Sequence, residues 1–503
     1  MQRLIAIIVI LLVIGLVATG LYLVIFGPQG VSTQVKVAVI PSGDQEAAWL
    51  HPATNIATWE RFVAGLRELP NITVDDSAAF PEDSMKLPVV GLRRPGVPGT
   101  LWIRWYKLTG RQRTIEMWVN ELCERQPPPL AIVGGGNSER ARDIAMHLSR
   151  RQQKEPAKRL PAFLITTATA DKVQNTELGE VDLMKIYPQR SFRYCFTNKQ
   201  MAEAICDFVR DEINRDRNLQ VSSPLISLVS WHDDPFSEDL VDQFEEQWKI
   251  PNETTVTPEV KKYVIAHSVG GLNRANKLEV AAVGKLVRDA GMMPTRGREI
   301  LVLPGGPAPA RRFLRSLYRT DPLERHFWVV TVADAIDWNT LYRDRRLTWP
   351  VEDIPFPLIA FMHRNPVETK LGPGRGFVAD SSTTETPNPT GTDDLLLYRD
   401  IGQSLVNCCF RDANQAPRLI DNPEELIKRL NEEKDAQGQS LFDDQGNRPG
   451  RGGEYITLLE PLYEGMQVLP KSKIKVYERL ANSNDWRKIT EFGADYSSSR
   501  GQP

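Results

Sequence analysis

Cysteine is scarce in this chain, and its placement excludes a disulfide framework. Cys123, Cys195, Cys206, Cys408 and Cys409 are irregularly spaced and form no CxxC pair, leaving room for a single bridge. Cys408 and Cys409 adjoin on an expected helix, where two small packing residues are a simpler reading than a redox or metal pair. Charge of one sign is lacking as well. The 62 basic and 64 acidic residues give a formal net charge of −2 without long runs, so neither a nucleic-acid groove nor a polybasic membrane patch is expected. Motifs for catalysis are missing too: His51, His147, His232, His267, His326 and His363 show no HExxH or other metal-ligand spacing, and there is no G-x-S-x-G elbow or P-loop. His232-Asp233-Asp234, after an expected strand, is the best catalytic or metal candidate, and a solvated turn accounts for it better. The chain reads as a non-enzyme with no cofactor and no metal.

What is present begins at the amino terminus. Residues 4–26 are 23 positions without a charge, dominated by Leu, Ile and Val. At about 1.5 Å per residue they can cross a hydrocarbon core of about 30 Å. An uncleaved anchor over 1–27 is expected rather than a signal peptide, because only Ala18-Thr19-Gly20 comes near a cleavage site. Arg3 places the amino terminus in the cytoplasm and the bulk of the chain in the periplasm or outside the cell.

The 503 residues suffice for two or three domains or one large two-lobed protein. After a linker at 28–34, the run VKVAVI at 35–40 reads as a first strand, with a helix at 54–69 and a strand at 72–74 completing a βαβ opening that favours parallel pairing. Residues 80–99 are rich in Pro and Gly and read as an irregular excursion. A strand at 101–106 and a helix at 113–124 lead to LAIVGGGNSERARDIA at 130–145. There a buried strand meets a glycine turn and a helix that Asn137 or Ser138 can cap. The free N–H groups of such a helix start face whatever occupies the turn, and open α/β sheets bind ligands at these places. Strands at 162–166 and 192–196 and a helix at 198–214 complete one βα series. A second follows, with strands at 225–230, 262–266, 300–303 and 328–332 and helices at 236–248, 277–290 and 308–318. Two successive series imply two α/β lobes. A strand at 358–361, a loop at 364–392, helices at 393–410 and 423–433, and a terminal hairpin at 455–459 and 474–480 with a turn at 470–473 finish the chain.

This order resembles the type I periplasmic-binding fold, and within it the branched-chain amino-acid binding and receptor ligand-binding family. Residues 134–144 are similar to the family's glycine and serine turn, LITTATAD at 164–171 to its strand and Ala-Thr turn, and SFRYCFTNKQMAEA at 191–204 to its strand and hinge into the second lobe. LISLVSWHDDPFSEDLVDQF at 225–244, the stretch 301–314 and SLFDDQGNRPGRGGEYITLL at 440–459 resemble the second lobe's opening, its glycine turn and the terminal strand pair. The resemblance implies two doubly wound parallel sheets joined by a hinge. Lobe 1 would hold 35–196 and 357–432, lobe 2 would hold 197–356 and 433–494, and 495–503 would be a tail.

It also implies a ligand in the cleft. The amino-acid carboxylate would be held by Asn137, Ser138, Ala168 and Thr169, with Thr167 on the same strand end, and the ammonium from the second lobe by Asp334 beside the aromatic Phe236. Phe236 lacks the hydroxyl of the family's tyrosine, and the second tyrosine position falls near Pro307 or Ala308. The expected function is a membrane-anchored solute-binding protein that captures a small polar, amino-acid-like ligand for an ABC-type permease or for sensing. The rival is a ligand-free structural or interaction module that docks another envelope protein. Nucleic acid is not an expected partner.

Overall fold

A strand covered on both faces should read as apolar throughout, yet β1 (Gln45–Pro52, QEAAWLHP) is buried over nearly its whole length while carrying a glutamate and a histidine. Its burial is possible because Glu46, 1% exposed, is met by Arg104 at 3.2 Å and Arg125 at 3.3 Å and accepts the Tyr106 phenol. All three partners lie 58 to 79 residues further along the chain. A buried charge is tolerated only when it is paired and hydrogen-bonded in this way.

The computed structural model describes residues 40–83, 86–109, 113–175, 179–213, 215, 225–232, 234–249, 259–266, 272–291, 298–320, 327–333, 356–363, 393–410, 417–435, 438–449, 453–464, 467–480 and 485–495. The chain divides into two compact units. In the first, Met1–Pro41 with Pro81–Leu87, few residues are described; there the Lys86 N–H donates to the Asp83 carbonyl at 3.0 Å. The expected anchor at 4–26 lies outside the described residues, as do positions 35–39 of the expected first strand. Among the described residues no helix is long and apolar enough to cross a membrane. All that follows concerns the second unit, Ser42–Phe80 with Pro88–Pro503.

Its first sheet has the order β2-β3-β4-β1-β5-β6-β9, where β2 is Thr73–Asp75, β3 Val89–Arg93, β4 Leu101–Leu108, β5 Ala131–Gly134, β6 Ala162–Ile165 and β9 Ser191–Arg193. The strands β4-β1-β5-β6-β9 are parallel, so in chain order this core runs 2-1-3-4-5. Two expectations change here. The strand at 72–75 pairs antiparallel with β3 rather than beside the first strand, and the Pro- and Gly-rich excursion contains β3 itself. A small separate hairpin, β7 (Lys172–Asn175) with β8 (Gly179–Asp182), was also not anticipated. Helices α1 (Ile56–Arg67), α2 (Arg113–Glu124) and α3 (Ser138–Lys154) accompany this sheet. Trp49, Trp59, Phe62 and Trp105 stack into the core with Tyr398, which arrives on α8 (Asp393–Cys409) after the second lobe has been built.

The second sheet has the order β11-β10-β12-β13-β14-β15-β16-β17. Its parallel part is β10 (Leu225–Trp231), β11 (Glu259–Ile265), β12 (Arg298–Val302), β13 (Phe327–Thr331) and β14 (Leu358–Met362), again 2-1-3-4-5 in chain order. Adjacent residues feed opposite cores: Val229, Leu301 and Val330 pack on one face, Leu228, Val302 and Val329 on the other. That is why these strands read as continuous apolar runs. Helices α4 (Asn198–Phe208), α5 (Pro235–Lys249), α6 (Leu272–Gly291) and α7 (Pro307–Thr320) belong here. The sheet ends in an antiparallel ribbon of β15 (Tyr455–Glu464), β16 (Gln467–Arg479) and β17 (Trp486–Asp495), so 470–473, expected as a turn, lies inside a strand.

The strand orders describe the two-lobed, doubly wound architecture that the resemblance implied, with the lobe boundaries displaced. β14 is a strand of the second sheet, so the chain returns to the first lobe after Met362 rather than at 357. Helix α9 (Pro423–Glu432) and Phe442 pack in the first core, and the Arg193 N–H donates to the Gly446 carbonyl at 2.8 Å. The last crossing therefore falls between Asn447 and β15, not at 433. The first crossing, 194–197, is held by the Phe196 N–H donating to His363 Nδ1 at 3.2 Å, beside the end of β14.

The buried Glu46 pair gives a test of this fold. Glu46→Ala leaves Arg104 without its counter-ion and should lower the unfolding free energy by about 3–5 kcal/mol, measured by urea denaturation. A loss under about 1 kcal/mol would mean that Arg104 escapes to water.

Candidate functional site

In a 2-1-3-4-5 sheet, the connections from strands 1 and 3 leave on opposite faces and open a crevice between their carboxyl ends. In the first lobe those ends are His51 on β1 and the Gly134-Gly135-Gly136 turn after β5. Gly135 adopts φ +75°, and a Cβ on Gly136 would lie 2.9 Å from His51 Nε2, so side chains are excluded from both positions. His51 stacks on Trp49 with ring centroids 4.7 Å apart. Burial, reinforced by the charge of Arg140, lowers its pKa to about 4, so the ring is neutral at pH 7. Its Nδ1 is buried and makes no hydrogen bond of ordinary geometry among the described residues. Arg140 itself, in the first turn of α3, is half-buried, and burial lowers its pKa. Its guanidinium makes no ion pair among the described residues.

The first-lobe residues expected to hold a ligand lie at this turn and at the neighbouring strand end, and several of their polar atoms are already engaged. Asn137 caps α3, its Oδ1 accepting the Arg140 N–H at 2.9 Å. Ser138 is buried, and its Oγ accepts the Ala170 N–H at 3.2 Å. The Ala168 carbonyl accepts Cys195 Sγ at 3.4 Å. That of Thr169 accepts Arg193 Nη1 at 3.0 Å and the Asn198 N–H at 2.8 Å. Thr167 is half-buried. In the second lobe Phe236 packs against the core, and its carbonyl accepts Asn198 Nδ2 at 3.1 Å. Asp334 lies outside the described residues. His232 and Asp234 form a turn at the start of α5, where Asp234 Oδ1 accepts the Phe236 N–H at 3.2 Å and His232 Nδ1 lies 2.9 Å from Glu238 Oε1. Asp233 is outside the described residues, as is the residue pair Pro307-Ala308 at the side-chain level. Among the described residues no cluster of His, Cys, Asp or Glu could hold a metal. All five cysteines are buried and none is in a disulfide; burial raises the Cys123 thiol to about 12, and the thiols of Cys206, Cys408 and Cys409 rise for the same reason.

Sequence reasoning singled out neither Arg140 nor Asp239, a carboxylate of α5. Asp239 is 6% exposed and reaches from α5 in the second lobe to the first, where Oδ2 accepts the Asp171 N–H at 2.8 Å and Oδ1 the Lys172 N–H at 3.1 Å. Asn198 Nδ2 donates to the same Oδ2 at 2.8 Å. Asp171 in turn accepts the Lys199 N–H at 2.8 Å, and the fully buried Arg193 lies 3.7 Å from it. Burial, then the charge of Asp171, raises Asp239 to about 7 against the pull of its three donors, and burial also raises Asp171. An acidic residue just past the first turn of a helix that also carries Glu238 and Asp242 looks like one more surface charge, which conceals the role from the sequence. Beside this contact lies an open groove of about 400 Å³ between β7, β8, α5 and β11. On its walls Lys172 pairs with Glu180 at 3.0 Å and Lys262 with Asp242 at 2.7 Å.

No protein-family model matches the chain, and no curated protein matches it. Solved structures similar to it include a protein described as a branched-chain amino acid ABC transporter from Silicibacter pomeroyi, at 11% identity and TM-score 0.49, covering 89% of this chain and 96% of that one. An ABC transporter permease from the Pseudomonas fluorescens group matches at 11% identity and TM-score 0.46, covering 91% of this chain and 94% of that one. Full-length LpoA from Haemophilus influenzae matches at 9% identity and TM-score 0.37, covering 91% of this chain and 61% of that one. The architecture itself is defined by the strand orders given above.

The raised carboxyl of Asp239 makes stability depend on pH. Because its folded-state value of about 7 lies above the unfolded one, the folded chain binds more protons between about pH 4 and 7. The stabilisation is present in full below that window and is lost as pH rises through it. Thermal melts should show the midpoint falling from pH 4.5 to 7.5, with a shallower slope in Asp239→Asn; equal slopes in the two proteins would remove Asp239 from the titration.

Proposed function

We propose that this chain is a two-lobed, extracytoplasmic solute-binding protein, held to the membrane by residues 4–26, that takes a small polar ligand with an anionic end. The reading is supported by one observation above the others: a half-buried guanidinium, Arg140, stands at the glycine turn of the first lobe's switch point without an ion pair among the described residues. An uncompensated cation beside free helix N–H groups favours a carboxylate there, and Thr167 on the neighbouring strand end keeps partial exposure. An amino-acid-like solute fits that chemistry. Delivery to an ABC-type permease, or sensing, is the role such a carrier performs. No catalytic group is needed for it, and none is proposed.

A second reading has its own support. Ser138, Ala168 and Thr169, expected to hold a ligand, are buried and bonded within the protein. A chain that uses its cleft walls in this way suits an envelope interaction module that docks another protein and has no solute.

Thermal-shift measurements separate the two. A carboxylate-bearing compound among amino acids, amides and small acids, at about 100 times its Kd, should add about 2.7 kcal/mol to stability. That gain should vanish in Arg140→Gln, whose unliganded midpoint stays within about 2 °C of wild type. If no compound moves the midpoint, the solute reading fails and the interaction module stands.

A further inference from the structure

An aspartate in the first turns of a helix ordinarily serves the N–H groups of its own helix. In α5 that task is taken by Asp234, whose Oδ1 accepts the Phe236 N–H. Asp239, five residues on and past the first turn, has no capping task, and its carboxylate points across the seam into the first lobe, where the Asp171 and Lys172 N–H groups both donate to it. The exchange is reciprocal. Asp171 of the first lobe accepts the N–H of Lys199, the second residue of α4 in the second lobe. Asn198 Nδ2 steadies Asp239 from behind at 2.8 Å, and Ser237 between the two aspartates is buried, its Oγ accepting the Trp231 N–H at 3.0 Å, so the α5 start is fixed against its own sheet.

We propose that Asp239 is a built-in latch, a second-lobe carboxylate that occupies a two-amide cradle in the first lobe and holds the lobes together in the absence of any solute. Lobe closure is an equilibrium, and whatever contacts both lobes only in the closed state shifts it. A tethered carboxylate does what a captured anion does, at an effective concentration fixed by the fold. The latch groups, Asp239 with the Asp171 and Lys172 N–H donors, are not those assigned to a solute, so the latch acts whether the chain carries a solute or docks a partner. Its failure would leave either reading intact.

Hydrogen–deuterium exchange of the full-length chain in detergent micelles, read by mass spectrometry without added ligand, tests the latch. In Asp239→Ala the amides of β7 and of the first turns of α3, which packs against α5, should exchange about tenfold faster or more. The strands β5 and β10 serve as fold controls and should stay protected. Acceleration confined to Asp171 and Lys172 would make Asp239 a local cap and overturn the latch, as would no change at all. If β10 also loses protection, Asp239→Asn replaces the variant; it keeps one acceptor for the cradle and should give a smaller acceleration in both β7 and α3, whose absence equally overturns the latch.

Discussion

One buried cation governs the place where the two lobes meet. Arg193 has no exposed surface, and it must satisfy its charge with what the fold brings to it. Its guanidinium reaches the Thr169 carbonyl and the Asp171 carboxylate, while its backbone N–H takes the Gly446 carbonyl on the segment leading to the last crossing. A single residue, through its side chain and its backbone N–H, thus ties together the turn after β6, the first crossing and the approach to the last. With Asp171 committed to Arg193, the second carboxylate at the seam has no cation of its own. Asp239 is held by N–H donors in its place, and burial, then the neighbouring charge of Asp171, raises its pKa against their pull.

The same economy repeats at the two switch points. In the first lobe a ring at the end of β1, His51, fills the space over Gly136; in the second, a Cβ on Gly305 would lie 2.7 Å from the ring of Trp231 at the end of β10. Each glycine is required by an aromatic neighbour from the first strand of its own sheet. The rings fill the space beside each glycine, so on the proposed solute reading the polar chemistry comes from Arg140 and Thr167 in the first lobe. The symmetry follows from the shared 2-1-3-4-5 order, which places strand 1 beside strand 3 in both sheets.

The parts of the fold legible in the sequence are those whose physics is local. Runs such as LISLVS and FLI must be buried on both faces, and they are strands, because no residue in them depends on a distant partner. β1 was illegible for the opposite reason: Glu46 and His51 look solvated until Arg104, Tyr106 and Arg125 arrive. The run at 358–362 announced burial but not which sheet would bury it, since both sheets cover their strands on two faces. Pro470 and its charged neighbours read as a turn, yet they sit in a long ribbon strand with antiparallel neighbours. At the site, the glycine turn and its capping Asn137 followed from backbone rules, whereas Asp239 could be recognised only once the first lobe's amides stood in front of it.

These facts bear on how such a chain could use its cleft. A carrier whose lobes are apart until a solute joins them converts all of the solute's bridging contacts into closure. Here the first-lobe turn is already stitched by Ser138 and Thr166, whose Oγ1 donates to the Gly134 carbonyl at 3.1 Å, and the seam is bridged by Asp239. A solute that enters at Arg140 therefore meets a preformed wall and loses little entropy in ordering it. It also gains little from closing lobes that already touch. On the proposed solute reading, affinity then comes from the charge of Arg140 more than from hinge bending, which favours a ligand whose anion is its principal feature.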